Sequence, residues 1–240
     1  MSNGNEMNVF ERLFKLLAKI SMMIVDGARD AEEVVRVLQA ILEGKRLLVE
    51  AALTVEEMVA GWVKFYKDVF GMDVDLSGVK IPERKSGFDR LIIVVPGMTP
   101  QRLFDKCKDL FSSWKYTDDN LDKIIKSDRT AKDGAYAIWV RDRVEADEEN
   151  RNLSANDLAK KNDSGITLEE RLVYELKFFD ETGNHLDVKN VTLCTGSRDS
   201  DGYVPGVDWF LHVRELDVGW YRADSRSGSV RSRSVVSLAA

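Results

Sequence analysis

Cysteine and histidine are scarce in this sequence, and their scarcity limits the chemistry that the chain can perform. Among 240 residues there are only two cysteines, Cys107 and Cys194, and two histidines, His185 and His212. None of the four has a neighbour at the short spacing of a zinc motif, and two cysteines cannot form a disulfide framework. We therefore expect no metal and no cofactor, and we interpret both cysteines as buried, reduced thiols.

Long apolar runs and basic leader segments are also missing. The first residues are polar, and the apolar stretch after them is interrupted by Glu11, Arg12, Lys15 and Lys19. A secretory signal would need a basic start and an unbroken apolar run, and a membrane span would need about 20 apolar residues. The sequence therefore predicts no membrane span. A cytoplasmic location is the default expectation, and display at the cell surface is the alternative.

Positive charge is in the minority. The 35 Lys and Arg residues face 41 Asp and Glu residues, which gives a net charge of -6 and disfavours nucleic acid as the main partner. A dense run of charges from Arg141 to Glu149 could imitate a catalytic carboxylate site. However, no histidine base, nucleophile elbow or glycine-rich phosphate loop accompanies it. We expect residues 141–164 to form a solvated excursion and the protein not to be an enzyme.

The N-terminal third has the periodicity of amphipathic helices. Apolar residues recur every three or four positions over 9–24, and capping residues predict further helices over 30–44 and 54–71. We expect residues 1–71 to form a helical packing segment that joins copies of the chain into a homo-oligomer. A docking platform for a separate protein is the alternative. Residues 72–87 lose the periodicity and are predicted to be a linker.

From residue 88 onward the sequence predicts an α+β fold. A strand, a helix that begins at Thr99-Pro100, a second strand and a helix with a Thr167 capping box follow one another, and short strands then continue to the end. This order excludes a doubly wound parallel sheet, in which helices would keep alternating with strands. The predicted strands are 88–95, 136–140, 191–194, 204–209, 216–221 and 230–238.

The last fifty residues resemble a known family. The similar stretches are Asn190–Cys194, Gly196–Arg198, Val204-Pro205, Trp209, Val218, Trp220-Tyr221 and Arg231–Val236. They resemble the variable proteins of diversity-generating retroelements, which have a C-type-lectin-like fold related to that of formylglycine-generating enzymes. In that family a reverse transcriptase rewrites adenines in a terminal gene segment and so creates many versions of one ligand-binding surface. The resemblance implies a non-enzymatic C-type-lectin-like domain over 88–240 whose ligand, a protein or another macromolecule, differs from copy to copy.

Related folds that carry out chemistry have features that this sequence lacks. Calcium-dependent lectins use a run of acidic and amide ligands, which is absent from residues 204–210. Formylglycine-generating enzymes need two reactive cysteines, whereas Cys107 and Cys194 stand among apolar residues that raise the pKa of a thiol. We therefore expect neither calcium-mediated sugar binding nor that enzyme activity.

The resemblance also divides the C-terminal segment into scaffold positions and exchangeable positions. The expected scaffold comprises Val204, Pro205, Val207, Leu216 and Val218 together with Trp209, Trp220, Tyr221, Arg231 and Arg233. The expected ligand-binding positions are Arg198, Asp199, Tyr203, Gly206, Asp208, Phe210, Leu211, Asp217, Gly219, Arg222, Ser225, Arg226, Ser227 and Ser229. A strand that buries Val and Trp exposes the residues between them, and aromatic and short polar side chains suit recognition. Ordinary turn residues are the alternative interpretation.

A nucleic-acid-binding or regulatory protein is the alternative function. The C-terminal segment is locally basic, since Arg222, Arg226, Arg231 and Arg233 follow Tyr221 closely, and such a segment could contact phosphates. Arg231 and Arg233 also lie in a predicted strand, where a guanidinium can hold loops through carbonyls and carboxylates. The sequence leaves both interpretations open.

Overall fold

The chain divides into two units, Met1–Leu53 and Thr54–Ala240. The computed structural model describes residues 9–25, 31, 34, 35, 38 and 53–238. Among the described helices, none is long and apolar enough to cross a membrane.

The first unit contains one fully described helix, α1, over Val9–Val25. Its Phe14, Met22 and Val25 side chains are exposed. Of the helix predicted over 30–44, only four residues are described, and all four are helical; the rest of that prediction lies outside the described residues. Homo-oligomerisation through this segment stays a prediction.

The second unit mixes short helices with short strands. Its helices are α2 (Val55–Phe70), α3 (Pro100–Leu110), α4 (Leu121–Ile124), α5 (Ala155–Lys160) and α6 (Leu168–Thr182). Its strands are β1 (Arg90–Val94), β2 (Ser113–Lys115), β3 (Lys126–Ser127), β4 (Tyr136–Val140), β5 (Val191–Leu193), β6 (Ser197–Arg198), β7 (Val204–Phe210), β8 (Glu215–Tyr221) and β9 (Val230–Ser232). This composition confirms the predicted α+β class.

The strands form three sheets. β1 pairs with β4 and β3 pairs with β6, both antiparallel, while a mixed sheet has the order β2-β8-β7-β5-β9. β7 and β8 form an antiparallel hairpin at the centre of the mixed sheet, and β2 and β9 are its edge strands. Beyond β9 the chain makes single bridges, from Ser234 to Gly165 and from Val236 to Trp139 of β4. The predicted strand over 230–238 is therefore shorter than expected.

Helix capping follows the sequence closely. The Thr54 and Thr167 hydroxyls each accept a hydrogen bond from the backbone N–H of the glutamate three residues on, and the carboxylate of that glutamate accepts one from the threonine backbone N–H. Both predicted capping boxes are therefore confirmed. Thr99 caps α3, with Pro100 in its first turn. The helices α2 and α6 end at Gly71 and Gly183, whose left-handed φ angles of 65° and 67° suit glycine.

The helix α2 belongs to the core of the second unit, although its sequence placed it in the N-terminal segment. Trp62, Phe65 and Tyr66 are buried in the main hydrophobic core. The indole of Trp62 donates a 3.1 Å hydrogen bond to the carbonyl of Leu91, and the Tyr66 hydroxyl donates one of 2.6 Å to that of Ile93. Aromatic side chains of α2 thus pack against β1 and satisfy their polar atoms on its backbone.

The stretch expected to be a linker also packs against this core. Leu76 is buried, and the carbonyl of Pro82 accepts a 2.8 Å hydrogen bond from the indole of Trp139 in β4. Residues 72–87 therefore lie on the second unit and add to its core, because the loss of helical periodicity reflects an irregular path and not a separation of domains.

The charged segment 141–164 is only partly the solvated excursion that its composition predicts, because more than half of its residues are exposed but some of its polar groups are buried. Asp147 is completely buried, forms an ion pair with Arg141 and accepts a 2.8 Å hydrogen bond from the Ser234 backbone N–H. Asn150 is also buried and donates to the Ser232 carbonyl. For these two residues the expectation was wrong, because hydrogen-bond partners distant in sequence satisfy them and sequence periodicity does not reveal such partners.

Candidate functional site

The β7–β8 hairpin has one buried face and one accessible face. In its register Val207 opposes Val218 and Trp209 opposes Leu216, and all four side chains are buried. The alternate pairs are Gly206 with Gly219, Asp208 with Asp217 and Phe210 with Glu215. Because opposed residues share a face, these six residues form a second surface, which we name the hairpin face. It contains five of the fourteen predicted binding positions, and all but the buried Gly206 are half-buried or exposed.

Two carboxylates oppose each other at the centre of the hairpin face. Burial, together with the neighbouring Asp217 carboxylate, raises the pKa of Asp208 to about 7. Burial and then Glu215 raise the pKa of Asp217 as well. Like charges directly opposite each other weaken a strand pair, so this arrangement costs stability and gives the face an acidic centre.

Aromatic rings border the acidic centre. Trp114 of β2 is in register with Asp217 and is 49 % exposed, and Phe210 is 48 % exposed. The sequence did not indicate Trp114 or Glu215 as site residues. Trp114 lies on the parallel edge strand β2, which has only three residues. A strand this short produces no recognisable hydrophobic periodicity in the sequence.

A polar atom of the hairpin face is left without a partner. Asp217 Oδ1 is buried and makes no hydrogen bond with any described residue. Trp220 Nε1 is also buried without a partner, but Trp220 opposes Pro205 on the other side of the hairpin, and its ring lies 3.9 Å from that of Tyr116 between centroids. Buried polar atoms normally find a partner, so Asp217 Oδ1 marks a point of the hairpin face where hydrogen bonding is incomplete.

Tyr221 and Gly206 differ from their predicted roles. Tyr221 was expected in the buried scaffold, but its ring lies on the outer face over Gly206. A Cβ atom at Gly206 would stand 2.3 Å from Cε2 of Tyr221, whereas one at Gly219 would stand 3.9 Å away. Burial and the nearby carboxylates of Asp208 and Asp217 raise the pKa of Tyr221 to about 12. Gly206 is therefore a packing position, and Gly219 is open to a side chain.

The loop between β8 and β9 carries five predicted binding positions, and its arginines have acidic partners. Arg222 pairs with Asp224 at 3.1 Å, and Arg226 pairs with Asp157 of α5 at 2.6 Å. The hydroxyls of Ser227 and Ser229 lie 3.0 Å apart, and Ser225 is half-buried. A cluster of Ala155, Leu193, Val204 and Val230, with Tyr221 and Ala223 against it, lies between this loop and the hairpin face.

The basic C-terminal segment is neutralised within the fold. Arg231 pairs with Glu148 at 2.6 Å. Arg233 is fully buried and donates to the carbonyls of Arg143 and Val144 at 2.8 and 2.7 Å. Together with the pairs of Arg222 and Arg226, this leaves none of the four arginines as an uncompensated charge for a phosphate backbone.

The remaining predicted positions do not join the hairpin face. Arg198 donates to the carbonyls of Thr195 and Ser197, and Asp199 is only 8 % exposed because its carboxylate accepts the N–H groups of Asp201 and Tyr203. Tyr203 is exposed at the opposite end of β7. Leu211 lines a different groove of about 800 Å³, with Phe111, His185 and Trp209 among its walls.

A buried network of ion pairs lies on the core side of the hairpin. Arg171 donates to Glu175 at 2.8 Å and to Asp187 at 2.9 Å, and Arg233 donates to Asp187 at 2.7 Å. His185 continues this network, since its Nδ1 lies 2.8 Å from Glu175 and its ring stacks on Trp209 at 3.3 Å. Stacking on His185 therefore holds the Trp209 side chain, and with it the strand β7, in place.

Both cysteines lie in the core of the second unit. Cys107 and Cys194 are free and fully buried, and burial raises the pKa of both thiols. The described part of the chain holds no group of three or more His, Cys, Asp or Glu side chains suited to a metal ion. In the charge run, Asp147 and Glu149 are engaged by Arg141 and Arg143.

Comparisons of the chain with protein-family models, curated proteins and solved structures found no match. The class that its elements define is an α+β protein with a mixed five-stranded sheet. What the protein does must therefore be inferred from the geometry and charge of the hairpin face.

Proposed function

We propose that this protein is a non-enzymatic ligand-binding protein that recognises a macromolecular partner through the hairpin face. In this proposal the domain is C-type-lectin-like and its C-terminal segment is diversified by a retroelement, as the family resemblance implies. The bound ligand then differs between versions of the protein, and the fold does not.

One observation carries the proposal: the alternation along β7 and β8. Val207, Trp209, Leu216 and Val218 are buried, while the residues between them lie on the hairpin face. Apart from Gly206, which lies under the Tyr221 ring, a side chain on that face can be exchanged without a change in core volume, because the core and the face use opposite sides of the same strands. This separation is what a diversified binding surface requires.

The present residues favour a ligand with positive charge. The hairpin face carries Asp208, Asp217 and Glu215, and the exposed rings of Trp114 and Phe210 border it. A cationic group placed between the two aspartates would relieve their repulsion and contact aromatic faces at the same time. In the proposal, a protein loop that carries arginine or lysine fits this version of the face.

The retroelement part of the proposal can be tested in the DNA. We expect a near-copy of the 3′ segment of the gene beside it, differing from the gene only at adenines, and a neighbouring reverse-transcriptase gene. Differences concentrated in codons for the hairpin face and the β8–β9 loop would support the proposal. A neighbourhood with no such copy would remove the diversification part and leave the binding face to be judged by itself.

The binding face can be tested by its tolerance to substitution. We expect random residues at Asp208, Phe210, Asp217 and Gly219 to leave most variants folded, with changes of about 1 kcal/mol or less in the free energy of unfolding. The matched control library randomises the buried residues Val207, Trp209, Leu216 and Val218, where truncation costs about 2–5 kcal/mol. Both libraries are displayed and sorted for protease resistance, which measures the fraction of folded variants in each. An equal loss of folded variants in the two libraries would contradict the proposal.

A pair of single variants tests the same point at higher resolution. Gly206 and Gly219 oppose each other on the hairpin face, but only Gly206 lies under the ring of Tyr221. We expect Gly206→Ala to destabilise the fold by about 1–3 kcal/mol, the usual cost of overpacking, and Gly219→Ala to cost less. Urea denaturation of the two variants provides the measurement. An equal cost would mean that Tyr221 does not cover Gly206.

A further inference from the structure

A cavity of about 480 Å³ opens beside the first turn of α6 and shares no residue with the hairpin face. Its apolar walls include Met98, Ile125 and Ala131, and its polar walls include Ser127 and Glu169. Cavities of this size with mostly apolar walls and a few placed polar groups are typical of small-molecule sites.

Glu169 is the polar group that distinguishes this cavity. It is only 5 % exposed, and the hydroxyl of Ser127 donates a 2.6 Å hydrogen bond to its Oε2. The Ser197 hydroxyl accepts the backbone N–H of Leu168 and lies 2.7 Å from that of Ser127. Since Ser127 gives its single hydrogen to Glu169, Ser197 must donate to Ser127. This chain of donors ends on Glu169 and fixes its carboxyl group as an acceptor.

The carboxyl group of Glu169 has no cationic partner among the described residues. Its donors are neutral, the hydroxyls of Ser127 and Thr167 and a backbone N–H, whereas the two oxygens of a carboxylate can accept about four hydrogen bonds. Because the residue lines the cavity and is otherwise enclosed, a ligand can reach this carboxyl group through the cavity. A nearly buried carboxylate without an opposite charge favours a cationic hydrogen-bond donor.

We propose that this cavity binds a small molecule that carries a primary ammonium group on a short apolar body. The ammonium group donates to the carboxylate of Glu169, and the apolar body packs against Met98, Ile125 and Ala131. An ammonium fits because hydrogen bonds between ionised partners are roughly twice as strong as neutral ones, and because a compact cation has donors in several directions.

The charges around Glu169 leave it without a cationic partner of its own. The neighbouring Glu170 is held by Arg129 at 2.8 Å, and Asp122 accepts the backbone N–H of Gln101. Lys126 and Lys132 line the cavity but are exposed to water, which screens their repulsion of a bound cation. The other titratable groups near this carboxyl group are Tyr136 and Cys194.

Protonation of Glu169 gives the proposal a measurable signature. Burial, with a smaller effect of Glu170, raises the pKa of Glu169 to about 7, against the opposing hydrogen bonds from Ser127 and Thr167. A bound ammonium needs the ionised carboxylate. The ionised fraction rises from about one tenth to nine tenths between one pH unit below the pKa and one above it, so affinity rises over the same range.

The experiment compares three probes of equal length: n-pentylamine, 1-pentanol and pentanoate. Each is titrated into the full chain at pH 6 and at pH 8 while the backbone amide NMR signals of Ser127, Ala131 and Glu169 are followed. We expect the amine to bind best, with an affinity about five- to tenfold higher at pH 8 than at pH 6. The alcohol should bind more weakly with no pH dependence, and the acid weakest of all.

Variants separate the role of the carboxylate from that of the cavity. Glu169→Gln should remove both the preference for the amine and its pH dependence, and Glu56→Gln, on the exposed first turn of α2, should change neither. Ser127→Ala keeps the carboxylate but removes its donor, so it should move the pH midpoint of amine binding upward. If Glu169→Gln fails to fold, the Ser127→Ala midpoint still tests the proposal. Equal binding of amine and alcohol, amine binding unchanged in Glu169→Gln, or no change at these amides would overturn it.

Discussion

The pairing of Asp208 with Asp217 lowers the stability of the fold. Two carboxylates directly opposite each other on an antiparallel pair repel, and burial of one of them adds to the cost. A fold selected for stability alone would place an opposite charge or a neutral residue at one of these positions. Such local costs are typical of functional surfaces, where the missing partner is supplied by the ligand.

Asp208→Asn should therefore stabilise the protein, and more at pH 8 than at pH 5. The pKa of Asp208 rises from an ordinary 3.8 to about 7 on folding, so the folded state holds this proton more tightly than the unfolded state. The stability that protonation contributes is complete below about pH 4 and is lost as the pH rises through 7. Removing the charge should raise the free energy of unfolding at pH 8 by roughly 0.5–1 kcal/mol.

Urea denaturation at the two pH values measures this effect, with Asp133→Asn as the control at an exposed position. Glu169 has a raised pKa with the same sign, but it is present in both proteins and so cancels in the difference. A gain that is equal at pH 5 and pH 8, or a loss at pH 8, would show that the two carboxylates do not repel in the folded protein.

At single positions the sequence predicted the hairpin face because alternation is a local property. Asp208 and Asp217 each stand between two buried neighbours, and Phe210 and Gly219 each follow one, as period two requires. Asp199 was less accessible than expected, since its carboxylate is used by its own turn. That outcome depends on a backbone geometry that composition does not specify.

Among elements, the ion network of Asp187 joins the helix α6 to the mixed sheet. Asp187 accepts from Arg171 of α6, from Thr192 of β5 at 2.5 Å and from Arg233, which follows β9. Arg171 and Asp187 are both fully enclosed, so neither charge is solvated if the other is removed. The network therefore determines how α6 sits behind the mixed sheet.

Asp187→Asn should destabilise the protein strongly. The change leaves Arg171 and Arg233 with reduced compensation in the interior, and breaking a buried pair typically costs about 3–5 kcal/mol. The matched control is Asp224→Asn, which removes a carboxylate from an exposed arginine and should cost much less, because water solvates both groups. Denaturation by urea measures both, and similar costs would mean that the buried network contributes little.

Elements with local signals were predicted well, and elements held by distant partners were not. The capping boxes of α2 and α6 and the Thr99-Pro100 start of α3 involve residues close in sequence. The strands β2, β3 and β6 have two or three residues each and exist through pairing alone. Asp147 was mistaken for a solvated residue because Arg141 and Ser234 bury it together.

At the scale of the whole molecule, the second unit begins at Thr54 and needs α2. The aromatic residues Trp62, Phe65 and Tyr66 are fully buried, and two of them donate hydrogen bonds to the backbone of β1. A boundary at residue 88, which the sequence suggested, would expose the surface that these side chains cover. Burial of a large aromatic side chain contributes several kcal/mol, comparable to the net stability of a domain.

A truncation series tests this boundary. We expect residues 54–240 to unfold cooperatively, with a free energy of unfolding close to that of the full chain, and residues 88–240 to lack a cooperative transition. Circular dichroism during urea denaturation checks both fragments. Cooperative unfolding of the shorter fragment would show that α2 is dispensable and that the sequence placed the boundary correctly.

The strands that carry the hairpin face are anchored at both ends to the rest of the domain. Upstream, Ser197 and Arg198 pair with β3, and downstream Ser234 and Val236 bridge to Gly165 and Trp139. A one-residue shift in the register of these strands would turn their outward side chains toward the interior. Such a shift would have to break the pairing with β3 and the bridges to Gly165 and Trp139 at the same time. Under the proposed function, exchange of a residue on the hairpin face would therefore change the ligand that is bound, while the outward orientation of each side chain stays constant.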